Sequence, residues 1–199
     1  LGNYSQAVAV QSSLQKVERN APVPRSRMQD TNGSLLLYPV YAYTGNPGAT
    51  QSESGDTSAM MVERFDRDVR PFHLKYLLIM GGTNSLRAGV SAEEVIRDLE
   101  EIGQKAEALG IHPIYLTLPP RNPANIQKAF DEPTADNWRQ SFAQVNAYIR
   151  SRDHIDVAAP FETGEDLPTE LSLDGIHGDW NMKQIMAQVI NRSMAGRLG

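Results

Sequence analysis

The chain has 199 residues, a formal net charge of −5 and no cysteine. A chain of this length suits one domain. Its lysines and arginines are scattered, which argues against nucleic acid or an anionic membrane surface as the main partner. The absence of cysteine excludes disulfides, thiol catalysis and cysteine-ligated zinc. No stretch approaches the roughly 18 consecutive apolar residues of a membrane-spanning helix.

The first third of the chain has the least regular pattern. Residues 5–20 place apolar side chains at helical spacing, although the run Ala7–Val10 is equally typical of a strand. After a polar loop, Leu35–Tyr43 is typical of a strand in which Pro39 argues against a central position in a sheet. A loop rich in glycine and serine then leads to a predicted helix at Ala59–Val69.

From Lys75 onwards, short apolar runs alternate with amphipathic segments. The predicted strands are Lys75–Met80, His112–Leu118 and His154–Pro160, and the predicted helices are Ser91–Gly110, Ala135–Arg150 and Trp180–Met194. Ser91 and Glu94 have the spacing of a capping box, which favours a helix start at this point. Strands that alternate with helices predict an α/β fold with a mainly parallel sheet. In such sheets, ligands bind beyond the carboxyl ends of the strands.

Three polar segments fall at that edge of the predicted sheet. In "GGTNS", Asn84 can either cap the turn or point its side-chain amide at a developing oxyanion. In "SGDTS", Gly55 can offer an unobstructed backbone N–H to the same oxyanion, while the residues after it suit a helix N-cap. In "LDGIH", Asp174 can accept a hydrogen bond from Nδ1 of His177 and leave Nε2 as a base. A solvated loop would have the same pattern.

The other histidines carry weaker patterns. The pairing seen for Asp174 and His177 has no equivalent near the other three histidines. We therefore expect His73, His112 and His154 to lie at the surface or at strand edges. No histidines or carboxylates have the spacing of a metal site. Neither glycine-rich loop has a dinucleotide- or phosphate-binding pattern. The sequence therefore predicts no metal and no other cofactor.

Together the three segments resemble sequence blocks of the SGNH (GDSL-type) hydrolases, and within them the thioesterase I/lysophospholipase L1 group, over roughly residues 35–199. The resemblance implies one domain over residues 1–199 with the SGNH hydrolase fold, a three-layer α/β/α sandwich with a mainly parallel, flavodoxin-like sheet. Ser85 stands where the family usually has Asp, a departure expected to alter the support of the loop more than the chemistry.

The same resemblance implies the roles of the site residues. Gly55 and Asn84 would form the oxyanion hole, and Asp174 and His177 would complete a catalytic triad. Gly48, in "NPGAT", is a second candidate for the oxyanion glycine. We prefer Gly55 because the predicted helix and strand follow it directly.

The block that supplies the serine nucleophile, G-D-S-L, is missing from the chain. One interpretation is that "AVAVQSSL" is a degenerate equivalent, with Ser13 as the nucleophile and Ser5 and Ser12 as weaker candidates. The other, which the helical spacing favours, is that residues 5–20 form the first helix and the serine lies upstream of Leu1. A chain that begins without Met permits this, and a cleaved signal peptide would place a soluble protein in the periplasm or outside the cell.

The resemblance implies a serine esterase or lipase-like hydrolase that cleaves carboxylic esters or thioesters by acyl transfer. Its substrate would be a small-molecule ester, such as an acyl ester, a lipid or an acetylated sugar. Arg121, Asn122 and Asn125 either line the substrate cleft or belong to a proline-bounded loop. The missing serine block also leaves open a non-catalytic module that binds a glycan or lipid, or acts as a scaffold. A flavodoxin-like nucleotide binder is disfavoured by the loop sequences.

Overall fold

A computed structural model gives the fold of most of the chain. It describes residues 40–43, 49–51, 56–72, 74–172 and 174–198. Within these ranges, side chains are described from residue 56 to residue 197. The predictions for residues 5–20, including Ser13, and the two candidate glycines Gly48 and Gly55 lie outside these ranges.

A five-stranded sheet with the strand order β2-β1-β3-β4-β5 forms the centre of the described structure. Its strands are β1 (Val40–Tyr43), β2 (Ala49–Gln51), β3 (Tyr76–Ile79), β4 (His112–Leu116) and β5 (His154–Ile155). Strands β3, β4 and β5 are parallel, whereas β1 is antiparallel to both β2 and β3. Strand β2 therefore runs in the direction of β3, so the sheet is mainly parallel, as predicted. Strand β1 coincides with the last four residues of the strand predicted at Leu35–Tyr43, and residues 35–39, with Pro39, lie outside the described ranges.

Seven α-helices occur within the described ranges. They are α1 (Ser58–Glu63), α2 (Phe65–Asp68), α3 (Thr83–Arg87), α4 (Ala92–Ala108), α5 (Pro123–Phe130), α6 (Trp138–Arg150) and α7 (Trp180–Leu198). Helices α4, α6 and α7 confirm three predicted helices, and α1 and α2 divide a fourth at Arg64. No helix in the described part of the chain is long and apolar enough to cross a bilayer.

Helix α4 illustrates how local sequence fixes an element and its packing. The Ser91 hydroxyl accepts from the Glu94 N–H at 3.2 Å, and the Glu94 carboxylate accepts from the Ser91 N–H at 3.4 Å, so the predicted capping box is confirmed. Gly103 lies in the middle of the helix, where a Cβ would stand 1.9 Å from the Tyr115 hydroxyl oxygen. Glycine therefore allows α4 to approach β4 closely, despite its helix propensity cost of about 1 kcal/mol.

The sheet is covered by helices on both faces. Leu77, Leu78 and Ile79 are consecutive in β3 and all three are buried. Successive side chains of a strand point to opposite faces, so both faces of β3 are packed. Helices α4 and α6 contact each other, while α7 contacts β5, and the carbonyl of Arg197 in α7 accepts from the Tyr76 hydroxyl at 2.9 Å. The three-layer α/β/α architecture predicted from the sequence is confirmed.

The strand at His154 and the helix α5 also differ from the sequence-based expectations. The strand predicted for His154–Pro160 ends at Ile155. The Val157 N–H donates to the Ile155 carbonyl at 3.0 Å, and the N–H groups of Ala158 and Ala159 donate to the side chains of Thr117 and Asp156 instead of to a neighbouring strand. The sequence predicts no helix at Pro123–Phe130 and assigns Asn122 and Asn125 either to the substrate cleft or to a proline-bounded loop, whereas the structure has α5 at this place. Asn122 is its N-cap and Pro123 its first residue, which are favoured positions for both residue types.

Candidate active site

A tight turn brings Asp174 and His177 into direct contact. Nδ1 of His177 lies 2.7 Å from Oδ2 of Asp174. The other carboxylate oxygen, Oδ1, accepts from the backbone N–H groups of Ile176 at 2.9 Å and His177 at 2.7 Å. Between them, Gly175 has a φ of +78°, in the left-handed region that glycine adopts without strain. The three-residue spacing seen in the sequence is thus converted into a hydrogen-bonded pair.

The electrostatics of the turn favour an ionised Asp174. Burial by itself raises the pKa of this carboxyl, but hydrogen bonds from the His177 ring and from the N–H groups of His177 and Ile176 outweigh it. The pKa of Asp174 is therefore held well below its ordinary value of 3.8. Because an ionised carboxylate can only accept, Nδ1 of His177 carries the proton, and Nε2 is the basic nitrogen while the ring is neutral. The His177 side chain is 38% exposed, so a ligand can reach it.

Asn84 lies in α3, shortly after the carboxyl end of β3. Its side-chain amide donates to the backbone carbonyl of Asp56 at 3.0 Å. This contact brings the "GGTNS" segment against the residue that follows Gly55 in the chain. Gly55 itself lies outside the residues that the structure describes.

A buried group of charges supports Asp56. Nε of Arg64 lies 2.6 Å from Oδ2 of Asp56, and the same guanidinium binds Asp68 at 2.9 Å. All three side chains are less than 10% exposed. Hydrogen bonds from Arg67 and Arg64 lower the pKa of Asp68 in spite of its burial. Arg64 lies between α1 and α2. Its ion pair therefore links both helices to Asp56, whose carbonyl accepts the hydrogen bond from Asn84.

Ser85, the departure from the family pattern, takes part in a second buried network. Its hydroxyl oxygen accepts from the backbone N–H of Ser58 at 2.7 Å and lies 2.9 Å from the Ser58 hydroxyl oxygen. The Ser58 hydroxyl in turn donates to Oδ2 of Asp98 in α4 at 2.5 Å. Through Ser58, the Asp98 carboxylate is therefore connected to position 85, where the family usually has Asp. This network joins α1, α3 and α4 beside Asn84.

Arg121, Asn122 and Asn125 do not form an exposed cleft wall, because all three side chains are buried. The Arg121 guanidinium lies 4.7 Å from the centre of the Phe142 ring and donates to the carbonyl of Thr83. Its burial, together with nearby Arg87, lowers the pKa of Arg121 to about 10. The Asn122 and Asn125 side chains bond to the segment that precedes Asp174.

The two halves of the predicted site border one common segment. Thr83, which precedes Asn84, accepts from Arg121. The next residue, Asn122, donates its backbone N–H to the carbonyl of Gly175, inside the Asp174–His177 turn, at 3.0 Å. The segment after β4 therefore touches both the Asn84 helix and the turn, at the carboxyl edge of the sheet.

His112 and His154 lie at strand ends, as predicted. His73 lies outside the described residues. Nε2 of His112 lies 2.6 Å from Oδ2 of Asp153, at the amino end of β4. Among the residues that the structure describes, no group of three or more His, Cys, Asp or Glu side chains could hold a metal ion.

The sequence analysis did not identify the polar residues that support the site, which include Ser58, Asp98, Ser172 and the buried pair Arg64 and Asp68. Ser58 lies among the residues after Gly55 that suit a helix N-cap, and Asp98 is next to Leu99, one of the buried residues of α4. Ser172 lies between two leucines and two residues before Asp174. The flanking leucines indicate that Ser172 is buried, but they do not identify its hydrogen-bond partner.

Comparison with known proteins decides the family. The sequence model of the GDSL-like lipase/acylhydrolase family matches residues 28–179. The chain belongs to this family. The protein is accordingly a carboxylic ester hydrolase with the SGNH hydrolase fold. No curated protein matches its sequence.

Solved structures agree with this fold. A GDSL-like lipase of Bacteroides thetaiotaomicron has a TM-score of 0.60 and 20% identity, with 75% of each chain covered. A lipase/acylhydrolase of Enterococcus faecalis has a TM-score of 0.58 and 17% identity, with 72% of each chain covered. A mutant of an acetyl-xylooligosaccharide esterase from Geobacillus has a TM-score of 0.55 and 19% identity, covering 73% of this chain and 71% of its own. At these identities the GDSL-like hydrolase shares their fold.

Proposed function

We propose that this GDSL-like hydrolase, as one domain over residues 1–199, cleaves carboxylic esters or thioesters by acyl transfer from a serine. His177 is the general base and Asp174 orients it. The observation that carries the proposal is the 2.7 Å contact between Nδ1 of His177 and the Asp174 carboxylate. Of the described histidines that pair with a carboxylate, His177 is the one at the carboxyl edge of the sheet, since His112 lies at the amino end of β4.

The reaction has two halves. The serine Oγ attacks the ester carbonyl while Nε2 of His177 takes its proton, and the C–O double bond opens to an oxyanion. As the tetrahedral intermediate collapses, the bond to the alkoxy (or thiolate) group breaks and His177 returns the proton to the leaving alcohol or thiol. Water then attacks the acyl-serine by the same route, and the acid and the free serine are released.

Asn84, the N–H of Gly55 and the N–H of the nucleophile hold the oxyanion in this proposal. The bond from Asn84 to the Asp56 carbonyl supports the first two, because it brings the side-chain amide beside the neighbour of Gly55. Loss of one such donor typically costs about 2.7–4 kcal/mol in the barrier.

The direction of β2 supports Gly55 over Gly48. Val40 in β1 is level with both Gln51 and Ile79, so the last residue of β2 lies at the carboxyl edge of β3. The chain that leaves β2 and leads to Gly55 starts from this edge. Ala49, which follows Gly48, is level with Ala42 and Leu77 towards the other end of the strands.

The nucleophile is either Ser13 or a serine upstream of Leu1, both outside the described residues. A serine-reactive fluorophosphonate probe, followed by peptide mapping of protein expressed from the whole reading frame, distinguishes these two. Folded protein that resists labelling would contradict the proposed acyl transfer from a serine. The acetyl-xylooligosaccharide esterase among the structural neighbours makes acetylated sugars one ester class worth testing beside p-nitrophenyl acyl esters and thioesters.

The test of the base is His177→Ala, assayed with p-nitrophenyl acetate and butyrate. We expect kcat/KM to fall by about 10⁴-fold or more, because the serine then has no proton acceptor, with an unchanged circular dichroism spectrum. His112→Ala is a matched control, since His112 also pairs with an aspartate but lies at the other end of the sheet. Wild-type rates in His177→Ala would rule out the assignment.

A further inference from the structure

Two buried asparagines tie helix α5 to the segment that carries Asp174 and His177. We propose that Asn122 and Asn125 are positioning residues for His177, which hold the Asp174–His177 turn at a fixed place relative to the oxyanion side. The proposal rests on the function proposed above and adds two residues that act through the base rather than on the substrate.

Asn125 acts through Ser172. Its side-chain amide donates to the backbone carbonyl of Ser172 at 2.7 Å and reaches the carbonyl of Thr169 at 3.3 Å. Both Asn125 and Ser172 are buried, so water cannot readily replace these bonds. A buried carbonyl that loses its donor is left unsatisfied, which is unfavourable, so this contact restrains the backbone at Ser172.

Ser172 passes this restraint to both ends of the catalytic turn. Its hydroxyl oxygen lies 2.8 Å from the His177 carbonyl and 3.3 Å from Oδ1 of Asp174. A hydroxyl has a single proton, and the shorter contact to His177 is the stronger hydrogen bond. A shift of Ser172 would therefore move the base and its orienting carboxylate together.

Asn122 divides its side chain between two tasks. Oδ1 accepts from the backbone N–H of Asn125 at 2.9 Å and caps α5. Nδ2 donates to the carbonyl of Leu167 at 2.7 Å and reaches the Thr169 hydroxyl oxygen at 3.3 Å. One atom thus stabilises the helix, and the other ties the segment before the turn to it.

The backbones of α5 and the turn are also in direct contact. The N–H of Asn122 donates to the Gly175 carbonyl at 3.0 Å. A Cβ added at Gly175 would lie 2.3 Å from the Asn122 carbonyl oxygen and 2.8 Å from the Ile126 nitrogen. The turn therefore sits against α5 without an intervening side chain, and the two asparagines hold it there.

The positioning matters because a displacement of about 1 Å in a reacting group can cost about 10²-fold in rate. Asn122→Asp keeps an oxygen that can cap α5, since Asp and Asn cap equally well, but it removes the amide donor. Asn125→Asp removes the donor to Ser172. For each variant we expect kcat to fall by about 10²-fold with little change in KM. We also expect the downfield proton NMR signal of the His177–Asp174 hydrogen bond to shift or broaden.

Asn146→Asp is the matched control. Asn146 is also buried, and its amide donates to the carbonyl of Leu118 at 2.9 Å, without a contact to the catalytic turn. This control should lose stability, as the test variants do, yet keep the downfield signal and most of kcat. If Asn122→Asp does not fold, Asn122→Ser is used, because serine also caps a helix and lacks the amide donor.

The proposal is overturned if Asn122→Asp, or Asn122→Ser in its place, keeps both wild-type kcat and the wild-type downfield signal. It is equally overturned if Asn146→Asp alters them as much as the test variants do. These outcomes differ from failure of the proposed function, in which His177→Ala keeps the wild-type rate, while the downfield signal of the wild type and of the asparagine variants still reports the geometry of the turn.

Discussion

The turn that carries His177 and the segment that carries Asn84 border the same site, but different interactions support them. The turn is tied to α5 by the neutral amides of Asn122 and Asn125. The Asn84 side is supported by ionised groups, chiefly Arg64 with its two aspartates. Neutral hydrogen bonds are directional and cost little to bury once they are made, whereas a buried ion pair leaves an expensive charge behind when one partner is lost.

This difference predicts different responses to mutation on the two sides. On the His177 side, small losses of geometry should reduce activity before they reduce stability. On the Asn84 side, loss of a charged partner should reduce stability first. The comparison can be tested with one substitution on each side and one in the serine network beside Asn84.

The largest expected effect is that of Asp174→Asn. The asparagine oxygen can still accept from the N–H groups of Ile176 and His177, so the turn should persist. Its amide would donate towards Nδ1, which places the ring proton on Nε2 and removes the base. We expect kcat to fall by about 10⁴-fold, the size of the effect in the serine-protease precedent, with little change in the denaturation midpoint.

Asp179→Asn provides the control for that substitution. Asp179 lies five residues further along, and its carboxylate accepts from the Met182 N–H at 2.8 Å at the start of α7. Asparagine caps a helix as well as aspartate does, so near wild-type kcat and stability are expected. Equal losses in both variants would mean that the assay reports general damage to this loop.

Arg64→Met tests the ionic side. It removes the cation that Asp56 and Asp68 share in a buried environment. Breaking such a pair typically costs about 3–5 kcal/mol, which chemical denaturation would detect. Arg70→Met is the matched control, because Arg70 and its partner Asp66 are both more than half exposed and their pairing should matter little. Similar stabilities for the two variants would refute the proposed ionic support.

The smallest expected effect comes from the network of Ser58, Ser85 and Asp98. Ser85→Asp restores the residue usual in the family but adds a second carboxylate near that of Asp98, so it should destabilise the protein. Combined with Asp98→Asn, the same change should be tolerated better. We expect a coupling free energy of about 0.5–3 kcal/mol from a double-mutant cycle measured by denaturation. Additive effects, within about 0.5 kcal/mol, would show that the two sites are independent.

Features set by local sequence could be predicted, and this accounts for much of the fold. The capping box and apolar stripe of α4 lie within a few residues of each other, as do Asp174 and His177. Helix α5 was missed because proline and asparagine are shared by loops and by helix starts, and only the packing of Ile126 against the turn distinguishes the two. The strand at His154 ended early because the N–H groups of Ala158 and Ala159 bond to side chains, one of which, Thr117, is distant in sequence.

The supporting networks could not be predicted, because they join residues far apart in the chain. Ser58 and Ser85 are 27 residues apart, and Asn125 and Ser172 are 47 apart. A single sequence states which side chains can hydrogen-bond, but not which distant ones meet. The nucleophile is undecided for another reason, since the pattern around Ser13 suits a helix and a strand alike.

The contact between Gly103 and Tyr115 has a consequence for sequence variation in this family. The Tyr115 hydroxyl is buried against the helix, and it reaches the Leu99 carbonyl at 3.4 Å. A methyl group at position 103 would overlap this hydroxyl, and the ring carbon Cζ would still lie only 3.1 Å away if the hydroxyl were absent. The side chains at positions 103 and 115 therefore compete for the same space. Relatives with alanine at the helix position should carry a non-aromatic residue at the strand position.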